Sequence, residues 1–312
     1  MTKRLIAVDM DGTFLNSHQD FDRKYFLKLY PEMRAKDVTF VVASGNQDSQ
    51  LRAFFPHTAD SIWFFSDNGA LVKQPDETVM YSAKMDPEVY HHAITYLNSL
   101  DEVYPVVSAV KSAYVLNSAP KSFSEMTARY YYKLQGVSDW DAIDDTVLKI
   151  GMSCPDNQTE KILTLLANEL AGELLPVSSG HGDIDLIIPH THKANAIKRV
   201  ANYLNIPMID VVTFGDGGND VEMLKEAGQG FAMANAPQAI KKIADNVAPD
   251  HDQNGVLITI DQLLNSGKGR EWEKGVWTSN TAFFPNFNYK VRIQKKRLGV
   301  FQSLFNTLND DI

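Results

Sequence analysis

A chain of 312 residues can bury one large core or two compact lobes without disulfide staples, and its 44% hydrophobic and 22% charged residues exclude a disordered or low-complexity chain. A formal net charge of -9 argues against nucleic acid as the main partner, because polyanions are held by basic faces. The single cysteine, Cys154, excludes an internal disulfide and a cysteine cluster for zinc; it fits a reducing compartment and reads as a small apolar residue.

The first apolar run, residues 5–8, is too short for a signal peptide or a membrane span, and no later stretch approaches the roughly 20 apolar residues a bilayer needs. The expectation is a cytoplasmic protein with no membrane partner. Similar short runs recur at 39–43, 62–65, 211–214 and 230–233, each ending in polar or glycine-rich turns. With both faces apolar, they read as buried strands of a parallel sheet. Helical spacing fills the gaps, as in Ala194-Ile197-Val200-Ala201-Leu204 and around Val221, Leu224 and Ala227. This alternation predicts a doubly wound α/β domain that binds ligands at the carboxyl ends of its strands.

Residues 86–188 break the rhythm. Helical patterns at 87–100 and 158–170 alternate with stretches at 113–116, 147–153 and 183–188 that resemble antiparallel strands, which predicts an inserted α+β lobe. The run Tyr130-Tyr131-Tyr132 reads as helical, with a packing role rather than that of a platform for a flavin or pyridoxal ring. The expected domains are therefore a core of 1–85 and 189–269, an insertion of 86–188 and an extension of 270–312. The extension carries Trp272, Trp277, Phe283, Phe284, Phe287 and Tyr289 before a basic run, Lys295-Lys296-Arg297, and reads either as an accessory or interface segment or as a poorly ordered extension.

Four strand ends or helix starts carry chemistry. Asp9-Met10-Asp11-Gly12-Thr13 follows the first strand, so two carboxylates spaced i, i+2 stand at the mouth of the sheet while Gly12 turns the backbone. Phosphoryl transfer to a carboxylate wants such a pair, one to attack phosphorus and one to move protons. A calcium loop also favours Asp-x-Asp-Gly, but it needs a glutamate where Asp20 stands and flanking helices. Ser44-Gly45 ends the second strand and can offer a hydroxyl and backbone N–H groups to a phosphate oxygen. Lys193 opens a helix, where it could neutralise a nucleophile and a phosphoryl group together. Gly215-Asp216-Gly217-Gly218-Asn219-Asp220 follows a late strand, and two repelling aspartates in a tight turn suit a bound Mg²⁺.

In this order the residues resemble the haloacid dehalogenase superfamily of phosphotransferases, and in detail its Cof-type sugar-phosphatase branch. Asp9-x-Asp11-Gly12-Thr13 is similar to the first motif, Ser44 to the second, Lys193 to the third and Gly215-Asp216-x-x-Asn219-Asp220 to the fourth. Asp67-Asn68-Gly69-Ala70, Ala234-Asn235-Ala236 and residues 244–256 also match that branch. About thirty residues separate Thr13 from Ser44, whereas more than a hundred separate Ala70 from Lys193, so a cap must lie in the second gap.

The resemblance implies a Rossmann-like core, a mobile cap and Mg²⁺-dependent hydrolysis of a small phosphate ester, such as a sugar phosphate, through an aspartyl-phosphate. Asp9 would be the nucleophile and Asp11 the general acid/base, with Ser44, Gly45, Thr13, Lys193 and Asn219 around the phosphate. Asp9, Asp11 (through its carbonyl), Asp216 and Asp220 would serve the metal. In the cap, His181 and Asp183 are the candidates for meeting the leaving group. The histidines His91, His92, His190 and His192 lack metal-ligand spacing. Asn46 departs from the family, which often carries arginine after Ser/Thr-Gly. A sugar-phosphate mutase and a weakly active phosphate sensor or partner-binding protein are the alternatives, and a monomer or homodimer fits either.

Overall fold

The computed structural model describes residues 3–180 and 182–265. His181 and the extension 270–312 lie outside the described residues. Met1–Thr259 form one compact unit and Ile260–Ile312 a second, of which only the end of the last helix, Gly255–Asn265, is described.

The described residues of the first unit form two sheets. In chain order the elements are β1 (Arg4–Val8), α1 (Arg23–Ala35), β2 (Val38–Ala43), α2 (Asp48–Ala53), β3 (Trp63–Ser66), β4 (Leu71–Lys73), β5 (Val79–Ser82), α3 (Pro87–Leu97), β6 (Tyr104–Ala109) and β7 (Ala113–Leu116). They continue with α4 (Lys121–Thr127), β8 (Leu134–Val137), β9 (Val147–Ser153), α5 (Thr159–Glu169), β10 (Leu175–Gly180), β11 (Asp183–Ile187), α6 (Lys193–Tyr203), β12 (Val211–Gly215), α7 (Val221–Glu226), β13 (Gln229–Met233), α8 (Gln238–Ile243) and β14 (Asn246–Ala248).

The larger sheet has eight strands in the order β14-β13-β12-β1-β2-β3-β4-β5. It is parallel from β14 to β3, and β4 and β5 add an antiparallel hairpin. Strand alternation explains its two covered faces. Leu5, Ala7, Val41 and Ala43 pack with Ala194, Ile197, Val200 and Ala201 of α6. On the other side the Phe40 ring lies 5.4 Å from Phe26 of α1, and the Phe64 ring 6.0 Å from Phe55. Asp22 starts α1 by accepting from the Tyr25 N–H at 2.9 Å, which satisfies one of the backbone donors a helix leaves open at its start. Strand order reverses direction at β1, and the loops at that point bring Asp9 and Asp216 together.

The second sheet has six strands, β10-β11-β9-β6-β7-β8, antiparallel except for the β7/β8 pair. One face is apolar: Val107, Ile150, Met152, Ile184 and Leu186 pack with Tyr90, Ala93, Ile94 and Leu97 of α3 and Ile162 and Leu166 of α5. The alternate positions Val106, Lys149, Gly151 and Asp185 line a cavity that the two sheets share. The tyrosine run differs from its expected helix. The helix ends at Thr127, before the run begins, and Tyr130 and Tyr131 both line the cavity.

Candidate active site

The site is built on the end of β1. Asp9 donates its backbone N–H to the Phe214 carbonyl at 3.0 Å, which ties the first strand end to the end of β12. The chain then makes one turn closed by Phe14 N–H to Asp9 O (3.2 Å) and Leu15 N–H to Met10 O (2.8 Å). Gly12 sits in that turn at φ +68°, and a Cβ there would run into the Asp216 carboxylate. Glycine is thus required both by conformation and by the approach of the fourth motif.

Lys193, the first residue of α6, is fully buried. Its Nζ donates to Asp9 Oδ1 at 2.5 Å and to Asp220 Oδ1 at 2.7 Å. Burial opposes its charge, but the Asp220 and Asp9 carboxylates outweigh that cost and hold the ammonium above its ordinary pKa. The second oxygen of Asp220 accepts from the backbone N–H groups of Asp216 and Gly217, both at 2.9 Å. Asp220 is therefore committed on both oxygens to shaping the loop and holding the lysine. Thr13, assigned to phosphate from sequence, donates its hydroxyl to Asp216 Oδ1 at 2.8 Å and is buried.

One oxygen each from Asp9, Asp216 and Asp220 lies within 4.8 Å of the others. Burial, with repulsion from the neighbouring aspartates, raises Asp9 well above the carboxylate range despite Lys193. Burial and Asp220 push Asp216 up to about 6, and burial also raises Asp11. One ammonium does not compensate this many clustered carboxylates, and an oxygen-only donor set of this size fits a hard divalent cation such as Mg²⁺.

A cavity of about 600 Å³ opens over these groups, lined by Asp9, Asp11, Ser44, Gly45, Asp216 and Asn219 among others. Asp183 also lines it, where Ser153 Oγ donates to its carboxylate at 2.7 Å. Cys154 stands at the same cavity, half-buried and donating to the Gly182 carbonyl at 3.3 Å; burial pushes its thiol up, away from reactivity.

Sequence reasoning missed Lys149 and Asp185. Lys149 is buried, pairs with Asp185 Oδ2 at 2.8 Å and donates to the Gly45 carbonyl at 2.7 Å. The signal was present as alternation: Leu148, Ile150 and Met152 against Lys149, Gly151 and Ser153, and Ile184 and Leu186 against Asp183 and Asp185. Asn46 was noted only as a departure, yet its Nδ2 donates to Asp11 Oδ2 at 2.6 Å.

A family model described as haloacid dehalogenase-like hydrolase matches residues 6–260. The chain belongs to the haloacid dehalogenase-like hydrolases. This haloacid dehalogenase-like protein, of the Cof type, is 36% identical over 264 residues to the 5-amino-6-(5-phospho-D-ribitylamino)uracil phosphatase YbjI of Escherichia coli (strain K12), across 85% of this chain and 97% of the relative. It is 27% identical to the phosphatase YwpJ of Bacillus subtilis (strain 168), across 84% and 100% of the two chains. The crystal structure of SMU.1108c from Streptococcus mutans UA159 matches with a TM-score of 0.79 at 30% identity, across 84% and 99% of the two chains. This haloacid dehalogenase-like protein is a phosphatase. Among the described residues no helix is long and apolar enough to cross a membrane.

Proposed function

We propose that this phosphatase hydrolyses a small phosphate monoester, a sugar phosphate or similar metabolite, by passing the phosphoryl group to Asp9 and then to water. The reading rests on one observation above all. The Asp9 carboxylate is paired with the buried Lys193 ammonium at 2.5 Å and lines a cavity that also exposes Asp11, Ser44 and Asp216.

In the first step a carboxylate oxygen of Asp9 bonds to phosphorus and the ester P–O bond breaks, while Asp11 gives its proton to the leaving oxygen. In the second, Asp11 takes a proton from water as the water oxygen attacks phosphorus, which releases phosphate and restores Asp9. Lys193 reduces the repulsion between the Asp9 carboxylate and the phosphate anion, and Asp220 keeps its ammonium in place. Ser44, Gly45 and Asn219 line the same cavity and offer groups that suit the phosphoryl oxygens. Mg²⁺, held by the Asp9 and Asp216 carboxylates and the Asp11 carbonyl, would supply further positive charge to the phosphoryl group. Residues 86–188 act as a lid that excludes water and selects the leaving group.

The cavity is also lined by Val106, Phe123, Met126, Tyr130, Tyr131 and Met152. That apolar and aromatic surface suits a leaving group with a planar ring, and the relative from Escherichia coli is named for an ester carrying uracil. The test is a phosphate-ester panel, headed by that compound and by sugar phosphates, assayed for released phosphate with and without Mg²⁺. Asp9→Asn is run in parallel, and acid-quenched wild type is searched for a phosphoryl adduct on Asp9. The expected result is Mg²⁺-stimulated turnover, an adduct on Asp9 and an inactive but folded variant; retained turnover in Asp9→Asn would refute the assignment.

A further inference from the structure

Asn46 sits between two residues that the inserted layer grips. On one side, the Gly45 carbonyl accepts from Lys149 Nζ of β9 at 2.7 Å. Lys149 is itself fixed by Asp185 of β11 at 2.8 Å, and Asp185 accepts from Asn68 Nδ2 at 2.9 Å. On the other side, the Gln47 carboxamide pairs with the Lys133 backbone, donating to its carbonyl at 3.0 Å and accepting from its N–H at 2.9 Å. Gln47 and Lys149 are buried, 6% and 2% exposed, so these bonds are shielded from competing water. Between the grips, Asn46 donates from Nδ2 to Asp11 Oδ2 at 2.6 Å, and its backbone N–H and carbonyl are held by Ser44 Oγ (3.1 Å) and the Asp67 N–H (3.2 Å).

A carboxamide NH₂ donates and cannot accept. A proton on Asp11 therefore belongs on Oδ1, the oxygen that Asn46 does not engage. We propose that Asn46 is a positioning residue for proton delivery: docking of the inserted layer on Gly45 and Gln47 sets the 45–47 segment, and Asn46 then turns Oδ1 of Asp11 to the leaving oxygen. The inference rests on the reading of Asp11 as the acid. Its consequence is that this phosphatase is fully competent towards esters that need leaving-group protonation only when the insertion is docked.

The experiment compares kcat/KM for ribose 5-phosphate, an alkyl ester whose leaving oxygen needs a proton, with that for 2,4-dinitrophenyl phosphate, whose leaving oxygen departs without one. Wild type, Asp11→Asn, Asn46→Ala and Gln47→Ala are measured with both. General-acid assistance is worth about 10²–10⁴-fold, so loss of its alignment in Asn46→Ala is expected to lower the alkyl-to-dinitrophenyl ratio by about tenfold or more. Gln47→Ala is expected to lower it in the same direction by a smaller factor. Both rates come from one sample, so partial unfolding scales them equally and leaves the ratio unmoved. If Asp11→Asn leaves the ratio unchanged, the acid assignment itself fails. If Asp11→Asn lowers it and Asn46→Ala does not, the positioning role is overturned alone. A wild-type ratio in Gln47→Ala, with a lowered one in Asn46→Ala, overturns the link to docking.

Discussion

The ammonium of Lys193 stands 2.5 Å from Oδ1 of Asp9, and the lysine has no solvent exposure. Truncating one member of a buried ion pair leaves its partner charged and unpaired, which costs about 3–5 kcal/mol. Lys193→Met is expected to lower the unfolding free energy by about 3 kcal/mol or more without Mg²⁺ and to abolish turnover. Denaturant unfolding and phosphate release check the two effects. Lys193→Arg is expected to remain inactive, because a planar guanidinium cannot take the place of an ammonium that Asp9 and Asp220 both contact.

Thr13 tests the proposed cation site without touching its carboxylates. Its hydroxyl donates to Asp216 Oδ1 at 2.8 Å, so Thr13→Val keeps the shape and removes one donor, worth about 1 kcal/mol. The expected outcome is a several-fold higher Mg²⁺ concentration at half-maximal activity, with most of the maximal rate recovered at saturation. A Mg²⁺ titration of activity, paired with a Mg²⁺-dependent thermal shift, measures it. An unchanged half-maximal concentration would separate Thr13 from cation binding.

Gly12→Ala is expected to be more damaging than its size suggests. The residue holds φ +68°, and the added methyl meets the Asp216 carboxylate. Backbone strain alone costs about 1–3 kcal/mol. Relief of the collision displaces the Asp216 carboxylate, so turnover is expected to fall by more than the stability loss explains. Activity measured well below the melting midpoint distinguishes the two.

His92 gives a pH-dependent contribution with a definite sign. Its Nδ1 lies 2.7 Å from Glu173 and its Nε2 3.3 Å from Glu169, and the Glu173 and Glu169 hydrogen bonds raise its pKa above the ordinary histidine value. The folded pKa exceeds the unfolded one, so the stabilisation is fully present below the unfolded pKa near 6.5 and is lost as pH rises through the raised folded pKa. The group is solvent-screened, so the effect is small. NMR titration of the ring proton is expected to show the raised midpoint in wild type. His92→Gln is expected to flatten that part of the stability-against-pH curve.

Much of the chemistry was legible because it is local. Short apolar runs closed by Asp9, Ser44 and Gly215 mark strand ends, where the backbone must leave the sheet, and Asp9 and Ser44 line the cavity there. The interval between Ala70 and Lys193 gave the expectation of an inserted lobe, and the strands of the second sheet, β6 to β11, fall within it. The tyrosine run was misread because helical periodicity over three residues carries almost no information; the helix stops at Thr127, three residues before the first tyrosine.

What the sequence by itself determined was the set of chemical groups and which side of each strand they occupy, since alternation and turn residues act within a few positions of the chain. Only the tertiary structure decided which groups meet: Thr13 with Asp216, Asn46 with Asp11, Lys149 with the Gly45 carbonyl. These partners are far apart in sequence, and their pairing follows from how one face packs on another, for which no local pattern codes.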